Sequence, residues 1–165
     1  MITVETPLDL RPYEGQELGR SGWIAIDQAM LSGFAALTGD DHWIHVDTAR
    51  AAAEMPDGRT IAHGLFVLSL GPALQRQIYT IRRRGKGLNY GYDKVRFVAP
   101  VPVGARVRLG LALVSVAPHA MGARIVTRQT FEVEGRDRPV VAAEHILLIT
   151  TPADSAADGT TERTA

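Results

Sequence analysis

The chain has 165 residues, of which 45% are hydrophobic and 22% charged, and its formal net charge is zero. That size and composition fit one globular domain, and the absence of a basic excess argues against a domain that works mainly by binding nucleic acid. With no cysteine there is no disulfide, thiolate nucleophile or Cys-ligated zinc; with no run near the ~20 apolar residues of a membrane span, and no basic-then-apolar signal pattern in residues 1–12, a cytoplasmic protein without membrane attachment is expected.

Residues 1–20 read as polar and irregular, with Pro7, Pro12 and Gly15. A short strand is predicted at 23–26. Asp27 is a good N-cap for a helix over 28–38, with Met30, Gly33, Phe34 and Leu37 at helical spacing as its inner face. Gly39 stands where a C′ glycine belongs. Asp47 caps a second, short helix over 48–54, and Pro56-Asp57-Gly58 is a turn. The segment from Ile61 to Tyr79 is apolar nearly all round until Gln75, so it predicts a helix inside the fold, kinked or broken at Pro72.

From Leu88 the period changes to two. Val95 and Phe97 alternate with Lys94 and Arg96, and Val107, Leu109, Leu111 and Leu113 alternate with Arg106, Arg108, Gly110 and Ala112. Two further strands are predicted at 125–133 and 140–150, joined by a turn at 135–139. Helices followed by antiparallel strands make an α+β domain over 1–150, in which the apolar helix covers one face of the sheet. Residues 151–165 have no apolar period and read as a disordered tail.

The stretch Gly39-Asp40-Asp41-His42-Trp43-Ile44-His45-Val46-Asp47 gathers polar groups on a connector, where functional side chains tend to lie. In a continuous helix Asp40 and His45 would point about 140° apart. They converge only if the chain turns, which Gly39 permits. A carboxylate beside an imidazole handles protons near pH 7; the alternative is a turn cap and a packed histidine. His63-Gly64 stands at the head of the apolar helix, where free N–H groups suit a developing oxyanion; the alternative is a glycine needed for packing. His42, His45 and Asp47 do not make a clear ligand set, so no metal is expected. Ser32 and Ser69 lack nucleophile-elbow glycines. The basic run Arg82-Arg83-Arg84-Gly85-Lys86-Gly87 reads as a solvated loop more readily than as a phosphate site.

Taken in order, Phe34-Ala35-Ala36-Leu37-Thr38-Gly39-Asp40, Ile44-His45-Val46-Asp47 and Ile61-Ala62-His63-Gly64 resemble the MaoC-like dehydratases, which include the R-specific enoyl-CoA hydratases. The resemblance extends through residues 89–97 and Pro100-Val101 and covers most of 20–150. His42-Trp43, where many members carry Asn-Pro, resembles the nodulation-protein-N-like branch. The resemblance implies a hot-dog fold: an antiparallel sheet wrapped around a long central helix, as a homodimer. It implies a hydro-lyase of fatty acid metabolism that adds water reversibly to trans-2-enoyl-CoA, giving R-3-hydroxyacyl-CoA. Asp40 and His45 would be the catalytic pair and the N–H of Gly64 the oxyanion donor, with His63, Asn89 and Tyr90 as substrate contacts. No cofactor is implied; coenzyme A is part of the substrate. The competing expectations are a hot-dog acyl-CoA thioesterase and a non-catalytic acyl-thioester-binding protein.

Overall fold

In chain order, the computed structural model has β1 (Ile2–Val4), a 3₁₀ helix (Pro7–Tyr13), β2 (Glu17–Arg20), β3 (Ile24–Ala25), α1 (Gln28–Thr38), α2 (Trp43–Val46), α3 (Thr48–Glu54), α4 (Gly64–Ser69) and α5 (Gly71–Gln75). Five strands complete it: β4 (Tyr79–Ile81), β5 (Gly87–Phe97), β6 (Arg106–His119), β7 (Gly122–Val133) and β8 (Val141–Thr150). The structure describes residues 1–150 and Pro152. Apart from Pro152, the tail expected at 151–165 lies outside the described residues.

The larger sheet runs β2-β6-β7-β8-β5, with β3 also on β6, and all of its pairings are antiparallel. Period-two patterning places Val107, Leu109, Leu111 and Leu113 on its inner face, all buried. Ile125 and Phe131 of β7 join them. Phe66, Val67 and Leu68 of α4 and Leu74 of α5 belong to the same apolar cluster. Helices gathered on one face of a curved antiparallel sheet give the hot-dog fold.

The apolar segment does form the inner helix, but as two short pieces. Pro72 lies in the first turn of α5, which begins immediately after Leu70. It has no N–H to give to Leu68, so the ladder cannot continue through it. At the ends the helix is shorter than the apolar run: Ile61 bridges to Pro102 in an extended arrangement, and Tyr79 begins β4.

Three other expectations are corrected. Residues 1–20 are ordered, because Leu10 and Leu18 are buried and the two short strands find distant partners. β1 pairs parallel with β4, and β2 pairs with β6; three or four residues are too few to show a period. The inner face of α1 is Leu31 and Ala35 with Phe34 at its margin, whereas Met30 and Leu37 are exposed, at 42% and 84%. Two stripes on this helix satisfy 3.6-residue spacing, and tertiary packing selects the second. In β5, register shifts between Asn89 and Gly91 and between Asp93 and Arg96 break the alternation, and Phe97 is left half-exposed. The basic run is the exposed loop expected of it, tied down where Arg82 pairs with Glu5 and the N–H groups of Gly85 and Lys86 bond to Thr150.

A polar chain crosses the core. Gln75 Nε2 donates to the Tyr79 hydroxyl at 2.8 Å. Gln129 Nε2 lies 3.4 Å from Gln75 Oε1 and 3.3 Å from His145 Nδ1. His145 Nε2 lies 3.1 Å from Asn89 Oδ1; that oxygen only accepts, so Nε2 carries the proton and Nδ1 accepts from Gln129. Burial pushes the His145 pKa down to about 4. Between pH 6.5 and 4 the unfolded chain therefore binds the extra proton. The contribution of neutral His145 is complete above pH 6.5 and is lost as pH falls toward 4, by on the order of 3 kcal/mol. Urea unfolding across this range should show that slope, and His145→Gln should flatten it; equal slopes in the two proteins would contradict the assignment.

Candidate active site

The connector after α1 is shaped by its ends. Asp27 caps the start of α1, accepting from the N–H of Met30 at 2.8 Å. Gly39 ends the helix in the left-handed region, with φ 79°. That turn swings Asp40 off the helix. One turn of α2 then carries His45 back, with its N–H on the carbonyl of His42. Asp47 accepts from the N–H of Arg50 and starts α3, the capping role its position predicts.

The turn brings together Asp40, His45 and His63. A carboxylate oxygen of Asp40 and a ring nitrogen of each histidine lie within 4.8 Å of one another. His45 Nδ1 is 2.7 Å from the carbonyl of Ile61. A carbonyl only accepts, so Nδ1 carries the proton and Nε2 is left as a bare acceptor. His63 Nε2 is 2.9 Å from the carbonyl of Asp40 and by the same logic carries its own proton. The two imidazoles stack, with centroids 3.7 Å apart and planes 25° apart. Stacked rings aim their in-plane lone pairs side by side rather than at one point, a poor arrangement for two ligands of one metal ion.

Burial is the largest influence on His45 and lowers its pKa below the ordinary 6.5. The bond to Ile61 and the charge of Asp40 pull it up, and His63 and His42 add to the lowering. His45 is therefore neutral at pH 7, with Nε2 able to accept a proton.

Several supporting residues carried no signal in the sequence. Gln28 donates from Nε2 to the carbonyl of His45 at 2.8 Å, and its Oε1 accepts from Thr60 at 2.6 Å. Ile61 is held in turn: its N–H bonds to Ile44, and the next N–H, of Ala62, bonds to Val101. Hydrogen bonds made by backbone groups leave no residue-type signature. An amide at Gln28 opposite a hydroxyl at Thr60 becomes meaningful only once the fold joins them.

The chain matches the family model described as a MaoC like domain over residues 10–134. It is 47% identical to 3-hydroxyacyl-thioester dehydratase Z of Mycobacterium tuberculosis (strain ATCC 25618 / H37Rv), over 89% of this chain and 97% of that one. The chain belongs to the MaoC-like family. It is also 44% identical to nodulation protein N of Rhizobium leguminosarum bv. viciae, over 82% of this chain and 85% of that one, in keeping with the branch that His42-Trp43 suggests. Among solved structures, R-hydratase PhaJ1 from Pseudomonas aeruginosa superposes with a TM-score of 0.67 at 24% identity, covering 86% of this chain and 83% of that one; that likeness concerns the fold. Together the relatives make this MaoC-like protein a hydratase/dehydratase of the hot-dog type, a hydro-lyase.

The remaining predicted site residues fall in different surroundings. Gly64 opens α4 beside His63, and a Cβ built on it would meet the Phe97 ring at 2.5–2.9 Å. Glycine is thus required here for close packing, whatever its N–H does. Asn89 bonds to His145 and Tyr92, within the polar chain of the core rather than the Asp40 cluster. Tyr90 is 68% exposed on β5. Because the ring carbons that crowd Gly64 are close to the Phe97 backbone, Gly64→Ala should cost about 1–3 kcal/mol in urea unfolding. Adding Phe97→Ala to Gly64→Ala should recover most of that loss; a double variant no more stable than Gly64→Ala would contradict the clash.

Proposed function

We propose that this chain adds water reversibly to trans-2-enoyl-CoA to give R-3-hydroxyacyl-CoA, with Asp40 and His45 as the catalytic pair. The observation that carries the reading is a carboxylate and an imidazole whose reactive atoms lie within 4.8 Å of each other. The bond to Ile61 engages His45 Nδ1 and leaves Nε2 as an acceptor. One water bridges two acceptors at such a separation, giving each a hydrogen. The thioester carbonyl withdraws electrons from the double bond. As the water oxygen bonds to C3, Asp40 takes one of its protons and His45 holds the other in place. The negative charge that develops on the thioester oxygen is met by the N–H of Gly64 at the head of α4. The pair then returns a proton to C2, so no net proton is consumed; dehydration runs the same steps backward.

No cofactor enters this scheme, because each proton transfer has a donor and an acceptor among the chain's own groups and water. Coenzyme A enters as part of the substrate. The dehydratase name of the M. tuberculosis relative supports thioester chemistry. Among the described residues no helix is long and apolar enough to cross a membrane, which fits a cytoplasmic enzyme. The working form is a homodimer: β5 ends the larger sheet with Tyr90 and Leu88 exposed along it, and an open edge of this length calls for a partner.

Asp40→Asn and His45→Gln should each lower hydration of crotonyl-CoA by at least about 100-fold, with thermal unfolding unchanged. Wild-type rates in both variants would sink the assignment. Release of free thiol in place of loss of enoyl absorbance would instead establish a thioesterase, and binding of the ester without turnover a non-catalytic carrier.

A further inference from the structure

We infer that His63 is a positioning residue, which ties Asp40 to His45 and does not itself touch substrate. This rests on the reading of Asp40 and His45 as the catalytic pair. His63 is buried, at 3% exposure, and stands immediately before α4 without capping it through its side chain. Its three links each hold a different part of the site. Nε2–H donates to the carbonyl of Asp40 at 2.9 Å and so fixes the backbone that carries the carboxylate. Its ring stacks on that of His45 at 3.7 Å and restricts the swing of that ring about its bond to Ile61. On the side of α1 it packs at 5.0 Å against Phe34, which in turn meets Phe66 of α4 edge-on at 5.6 Å. The helix core and the connector are thereby made one rigid unit.

Nδ1 of His63 has no hydrogen-bond partner and is buried among the described residues. A buried bare acceptor is costly, and it persists here because the stack and the Asp40 bond together fix the ring. The unpartnered nitrogen also defines the role. A proton placed on it would put an imidazolium face to face with His45. The other titratable groups around His45 are Asp40 and His42; Arg50 is turned onto the Trp43 ring at 4.2 Å. The geometry therefore commits the Nε2 proton of His63 to Asp40 and leaves Nδ1 facing no partner.

A positioning role and a substrate contact differ in what they do to kcat and KM. His63→Phe keeps an aromatic ring on His45 and removes the donor to Asp40. It should lower kcat for crotonyl-CoA by about 100-fold, as expected for a displaced catalytic group, with KM changed by less than about threefold. His63→Gln places an amide N–H near Nε2 and should recover at least about tenfold of that loss. A raised KM with unchanged kcat would overturn the proposal in favour of a substrate contact, and so would wild-type rates in both variants. A reading independent of activity comes from the ¹⁵N signals of the wild-type histidines. They should show the neutral His63 ring as the Nε2–H tautomer; an Nδ1–H tautomer would overturn the proposal even where a variant fails to fold. Should Asp40→Asn stay active, the catalytic pair fails, while the tautomer still decides whether His63 holds Asp40.

Discussion

The site depends on one hydrogen bond, from His45 Nδ1–H to the carbonyl of Ile61. It fixes which nitrogen of His45 carries the proton, leaving Nε2 as an acceptor. It also joins the connector after α1 to the segment that leads into α4. Ile61 has little freedom to move, because its own N–H is tied to Ile44 and its neighbour Ala62 to Val101. The geometry of a histidine on an exposed connector is thus inherited from residues packed at the end of the sheet. Burial then keeps that ring neutral, which is the state in which a bare Nε2 has chemical use.

The same economy applies to the central helix. It is broken at Leu70, with Pro72 in the first turn of the second piece, so neither piece is long enough to be stable alone. Both are held by the apolar face of the sheet. The first piece delivers His63 and Gly64 to the site; the second carries Gln75 into the polar chain that ends at Asn89. The fold therefore keeps two histidines buried in different ways. His145 is satisfied on both nitrogens, while His63 is satisfied on one and stacked on the His45 ring.

Much of this was legible in the residues. Asp27 and Gly39 bound α1, and Asp47 starts α3, because caps and left-handed turns restrict residue type locally. The alternation from Val107 to Leu113 could only be a strand with one buried face. The convergence of Asp40 and His45 followed from the turn at Gly39, although the carbonyl that orients His45 left no mark, since any residue at position 61 offers one. Leu31 and Ala35 were missed as the inner face of α1 because Met30, Phe34 and Leu37 made an equally regular stripe. The short strands β1 and β2 were missed because their stability lies wholly in partners some 75 to 95 residues away. Asn89 belongs to the His145 network because of bulges in β5 that no periodicity rule anticipates.

The role of Asp41-His42-Trp43 is narrower than its density of polar groups suggests. His42 lends its carbonyl to His45, and Trp43 is covered by Arg50. What remains for chemistry is a carboxylate and a neutral imidazole, and the protonation state of that imidazole is the central claim. The pH dependence of kcat/KM for crotonyl-CoA hydration tests it most directly. The account predicts full activity at pH 7 and an acid limb with an apparent pKa below 6.5, as His45 Nε2 takes up a proton. Activity that declines as pH rises from 6 to 7.5 would show that the charged ring is the working form and would contradict it.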